Sequence, residues 1–92
     1  MADKVQVDLD ELIEFRAHLV AFNQLLSDEY RRMKNHWYNM NEVWNDAKYY
    51  EFGEALEDVA KGIDRYLQVT PDHEQHLYNL IDRIRAVLDT AI

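Results

Sequence analysis

A chain of 92 residues builds one domain with a modest core, a size at which association with another chain often completes the burial of apolar surface. Its 48% hydrophobic and 30% charged content is that of a folded protein, and two glycines with one proline leave few turn residues for a β-rich fold, so the composition points to an all-α chain. With 18 acidic against 10 basic residues the net charge is -8, which argues against DNA or RNA as a partner, because nucleic-acid affinity rests largely on Lys and Arg neutralising phosphates.

The first residues, MADKVQVDLDE, contain no apolar stretch of the kind that heads a signal peptide, and no uninterrupted apolar run elsewhere is long enough for a membrane span. The expected setting is synthesis in the cytoplasm, with any secretion proceeding without a cleaved signal peptide. Met1 to Val7 reads as a loose tail. A first helix is predicted over about 8–40. Asp8 and Glu11 resemble a capping box, and Asp8, Asp10, Glu11 and Glu14 crowd the positive end of the helix dipole. Apolar or large residues then recur at threes and fours through Leu12, Phe15, Leu19, Phe22, Leu26, Tyr30, Met33, Trp37 and Met40. Ile13, Val20 and Leu25 widen this stripe beyond a two-position seam, which predicts packing against more than one neighbour. The basic cluster Arg31, Arg32 and Lys34 reads as a complement to the dipole near the helix end.

A turn is predicted at about 41–45, where Asn41, Asn45 and Asp46 favour turns and caps over helix interior. The second arm is predicted as a helix over about 46–69, a kink at 70–71 and a helix over about 72–90. Its row runs through Tyr49, Phe52, Leu56, Val59, Ile63, Tyr66, Thr70, His73, Leu77, Leu80, Ile84, Val87 and Ala91 without a slip. Two readings of Pro71 compete. Thr70 as an N-cap with Pro71 at the first helical position would start a third helix and give a three-helix bundle. The unbroken register instead favours one long arm kinked at Pro71, and so an antiparallel helical hairpin. Leu12, Phe15, Leu19, Phe22, Leu26, Trp37, Leu56, Val59, Ile63 and Tyr66 are the predicted helix–helix interface residues. Gly53 and Gly62 lie inside the second helix, where close helix approach would offset their low propensity.

Candidates for chemistry are few. Absence of cysteine excludes disulfides, thiolate metal sites and cysteine nucleophiles. His73 and His76, with Asp72 and Glu74 adjacent, have spacing that a metal site could use, but a partly buried, hydrogen-bonded His73 beside the proline is the simpler reading. No carboxylate dyad, nucleophile elbow or phosphate-binding loop is present. No catalytic residue, metal or cofactor is therefore expected. Trp37 belongs to the first helix's seam, whereas Trp44, in the turn, reads equally well as core or as a recognition residue.

Trp44, Asn45, Asp46 and Ala47, with Phe52 eight residues past the tryptophan, resemble the turn of the WXG family, small helical hairpins handled by type VII secretion systems. The family's Trp-x-Gly is here Trp-x-Asp, and Asn45 or Asp46 would make the turn through left-handed geometry or capping. The resemblance implies pairing with itself or a paralogous hairpin into a four-helix bundle, and a Tyr-x-x-x-Asp secretion signal at Tyr78 and Asp82 presented to a secretion ATPase or used with a larger secreted protein. The alternative is a cytosolic helical adaptor or chaperone that captures an amphipathic helix of a larger protein.

Overall fold

The computed structural model describes residues 8–90; the expected tail Met1 to Val7 and the last member of the apolar row, Ala91, lie outside the described residues. Two helices account for nearly all of it, α1 at Leu9–Met40 and α2 at Ala47–Thr90. Asp8 starts α1 as its N-cap, with its Oδ1 accepting from the amides of Asp10 (3.0 Å) and Glu11 (3.3 Å). These bonds satisfy two of the donors that a helix start leaves without partners.

α2 runs for 44 residues with Pro71 inside it, so the third helix, and with it the three-helix bundle, does not form. Thr70 is not an N-cap. Its side chain is buried, and its hydroxyl donates to the Leu67 carbonyl at 3.1 Å. That carbonyl is the acceptor the Pro71 amide would have used. A hydroxyl one residue earlier thus replaces the missing donor and lets the helix continue.

The helices are antiparallel. As α1 advances from Arg16 through Asn23 and Tyr30 to Trp37, its partners step back along α2 from Glu74 through Tyr66 and Ala60 to Tyr49. The hairpin is a rod of 68 × 22 × 17 Å. Its radius of gyration is 20.5 Å, against about 12 Å for a compact domain of this length.

The seam repeats every seven residues. On α1 it takes Leu9, Arg16, Asn23, Tyr30 and Trp37 with Ile13, Val20, Ser27 and Lys34; on α2 it takes Tyr49, Leu56, Ile63, Thr70, Leu77 and Ile84 with Gly53, Ala60, Leu67, Glu74 and Ile81. Several of these are polar and satisfy one another. Asn23, buried, accepts from the Tyr66 hydroxyl at 2.7 Å and donates to the Glu74 carboxylate at 2.9 Å, while Arg16 Nε donates to the Glu74 carbonyl at 2.9 Å. The core is thin: among the described residues Tyr30, Tyr49 and Ile81 are the buried hydrophobic ones, and none is wholly removed from solvent.

Polar residues in the seam displace part of the apolar row to its flank. Of the predicted interface residues, Leu12, Leu19, Leu26, Trp37, Leu56, Ile63 and Tyr66 are half-buried. Phe15 (55% exposed), Phe22 (50%) and Val59 (56%) do not pack between the two helices. The heptad places Leu12, Leu19, Leu26 and Met33 on one flank of the α1 seam, with Phe15 and Phe22 further round, and Phe52, Val59, Tyr66 and Leu80 on the corresponding flank of α2. Because the helices are antiparallel, these flanks fall on the same side of the rod. One side is therefore an apolar face; the other carries Asp10, Gln24, Arg31, Glu57, Asp64 and Arg85.

Candidate functional site

Two features merit a functional reading: the aromatic turn that closes the rod and the apolar face along its side. The turn begins where the Met40 carbonyl accepts from the amides of Val43 (3.0 Å) and Trp44 (2.8 Å). Asp46 then opens α2. Its Oδ1 accepts from the amides of Lys48 (3.0 Å) and Tyr49 (3.1 Å) and from the Trp44 indole N–H at 2.8 Å. No residue among those described has positive φ, so the expected left-handed turn at Asn45 or Asp46 is not used. The residue where the WXG pattern has glycine works through its side chain, as a cap and as an indole acceptor.

Inside the turn the rings lock together. Trp37 stacks on Tyr49 with centroids 4.1 Å apart and planes 2° from parallel, and Trp44 meets both edge-on at 5.9 and 5.4 Å. The Tyr49 hydroxyl donates to the Trp37 carbonyl at 2.8 Å, which ties the start of α2 to the end of α1. Gly53 makes room: a Cβ there would lie 3.2 Å from Trp37 Cζ2, whereas nothing lies within 4 Å of one built at Gly62. Close approach accounts for the first glycine only. Phe52, 5.4 Å from Trp37 by centroids, remains 56% exposed and continues the apolar face to the turn. Trp44 is half-buried and held by Asp46, so its first role is to build the turn.

Tyr78 and Asp82 are both exposed on α2, and beside them Arg16, Ile13, Ile81 and Arg85 outline a cleft of about 190 Å³. The Arg16 guanidinium lies over the Tyr78 ring at 5.4 Å. Tyr78 is thus in contact with α1.

Other sequence expectations change. His73 is exposed, not a partly buried seam residue, because Thr70 and Glu74 occupy the seam on either side of it. His76 is exposed as well, and the described residues hold no group of three or more His, Asp or Glu arranged to take a metal ion. The basic cluster does not serve the end of α1, whose last turn has no basic residue. Arg31 and Arg32 pair instead with Asp28 (4.0 Å) and Glu29 (3.0 Å) one turn back. They lie too far from Met40 for the dipole, which acts within the last turn.

Tyr30 has a perturbed protonation. Its hydroxyl donates to the Ala60 carbonyl at 3.2 Å. Burial and the nearby Asp64 carboxylate raise its pKa above the ordinary 10.0. Among the described residues no helix is long and apolar enough to cross a membrane. No known protein family, curated protein or solved structure matches the chain.

Proposed function

We propose that this hairpin is a non-enzymatic, partner-binding protein of the WXG kind. It pairs through its apolar face with a second copy or a paralogous hairpin to complete a four-helix bundle. It is made in the cytoplasm and exported without a cleaved signal peptide, with Tyr78 and Asp82 read by the secretion ATPase. The observation that carries the pairing is the flank of Phe15, Phe22, Phe52 and Val59, each at least half exposed, where the described residues bury only three hydrophobic side chains in the chain's own core. Such faces on small domains mark interaction surfaces, and a stripe wider than one seam suits two helix neighbours.

Solution mass tests this reading. Alone or co-expressed with its genomic neighbour, the protein is expected at about twice its 11.0 kDa. Phe22→Glu with Val59→Glu is expected to give a monomer that stays helical by circular dichroism. A wild-type chain that remains a folded monomer at micromolar concentration in both preparations would overturn the bundle. The adaptor reading uses the same face but requires no export signal. Tyr78→Ala with Asp82→Ala separates the two, since it abolishes export in the first and leaves partner binding untouched in the second.

A further inference from the structure

The side of the rod away from the apolar face holds a groove that the pairing leaves unused. Between the end of α1 and the first turns of α2 lies an open groove of about 650 Å³. Trp37 and Tyr49 form its floor, Tyr38 and Tyr50 line its length, and Glu54 and Glu57 stand along α2. One wall and the floor are held in place: Tyr50 donates its hydroxyl to Asn45 Oδ1 at 2.7 Å, and the floor is the Trp37–Tyr49 stack. Tyr38 and Tyr50 nevertheless expose 68% and 56% of their surface, Tyr50 meeting Tyr49 at right angles at 5.3 Å between centroids.

The charge in the groove is unbalanced. Glu54 and Glu57 make no ion pair among the described residues. The single cation of the lining, Lys34, has its ammonium over the Tyr30 ring at 4.5 Å. Exposed aromatic faces beside free carboxylates complement a planar cation, because a guanidinium stacks on rings while its fork of N–H donors meets a carboxylate. An ammonium matches the charge but not the stacking. From Tyr49 to Ala60 the lining spans about 16 Å of helix, the length of roughly five extended residues.

We propose that this groove binds a short extended segment of a partner protein that places an arginine, flanked by apolar residues, between Tyr38, Tyr50 and the carboxylates of Glu54 and Glu57. The site is independent of the bundle, since Tyr38, Tyr50, Glu54 and Glu57, the residues that would hold the arginine, lie on the flank of the seam away from the apolar face. Either can fail without the other.

The probe is the peptide acetyl-Leu-Ala-Arg-Leu-Leu-amide, titrated calorimetrically into the full chain, with its citrulline counterpart as the uncharged isostere. Saturable binding of the arginine peptide is expected, weakened about tenfold by citrulline and about tenfold by Glu54→Gln with Glu57→Gln, the scale of one lost charge-assisted hydrogen bond. Amide shifts are expected to move at Tyr50 and Glu57 and to stay still at Phe22 and Val59. Circular dichroism of the double variant confirms that it folds. No saturable binding up to millimolar peptide, equal binding of the citrulline peptide, or shifts confined to the apolar face would each overturn the proposal.

Discussion

Thr70 donates its hydroxyl to the carbonyl of Leu67 at 3.1 Å, and this bond stands where the amide of residue 71 would have bonded had it not been proline. A buried carbonyl without a donor costs on the order of 1–3 kcal/mol. Thr70→Val, which keeps the shape and removes the donor, is expected to destabilise the hairpin by about that much in chemical denaturation. In a Pro71→Ala background the restored amide takes over. The same Thr70→Val change is then expected to cost under about 0.5 kcal/mol, and equal costs in both backgrounds would show that the hydroxyl is not the substitute donor.

Asp46 accepts three hydrogen bonds at the start of α2, so Asp46→Ala is expected to cost about 1–2 kcal/mol, the loss of an N-cap. Asp46→Gly, which restores the letter of the Trp-x-Gly pattern, is expected to destabilise as well, though less. Glycine caps nearly as well as a polar residue, but it leaves the Trp44 indole without its acceptor, and no residue of this turn needs positive φ. Thermal melts of the two variants decide the point. A gain in stability for the glycine variant would contradict the role given to the carboxylate.

Asn23 links Tyr66 and Glu74 across the seam, and its removal leaves both without their partner. Asn23→Ala is expected to cost about 1–3 kcal/mol. A buried polar residue in a helical seam also holds register. Paired cysteines at exposed neighbouring positions of the wild-type and Asn23→Leu chains would therefore be expected to cross-link in one register in the first and in several in the second.

Tyr30 gives the hairpin a dependence on alkaline pH. Its folded-state pKa lies above 10.0, so folding favours the protonated phenol. The corresponding stability is fully present below pH 10.0 and is lost as pH rises through the raised folded value, when a phenolate would form in the seam beside Asp64. Stability measured from pH 9 to 12 is expected to fall more steeply for the wild type than for Tyr30→Phe. Parallel slopes would remove Tyr30 from the account.

How far these features can be read from sequence depends on the range of the interaction. Helix ends are local: Asp8 and Asp46 announce their caps through bonds two and three residues away. The hairpin was equally legible, because the row from Tyr49 to Val87 keeps phase across Pro71, and the Thr70 hydroxyl is what allows the helix to keep it. The seam was not. Periodicity locates an apolar row but not which flank of it meets the sibling helix. Arg16, Asn23 and Glu74 look like surface residues until they are seen to satisfy one another, and Phe15, Phe22 and Val59 look like core until polar residues take the seam. The groove beside the turn depends on residues of both helices, and no spacing along either one announces it.

The antiparallel seam also sets the order in which the molecule closes. The bond from Tyr49 to Trp37 spans 12 residues, that from Tyr30 to Ala60 spans 30, and that from Arg16 to Glu74 spans 58. Loop-closure entropy rises with span, so a distant pair forms readily only when the pairs inside it are already made. Folding is expected to start at the stacked rings of Trp37 and Tyr49 and run outward like a zip. Backbone amides of the seam near Ile13 and Ile81 would then exchange with solvent sooner than those beside Trp37, and the rod would fray from the end opposite its tryptophans.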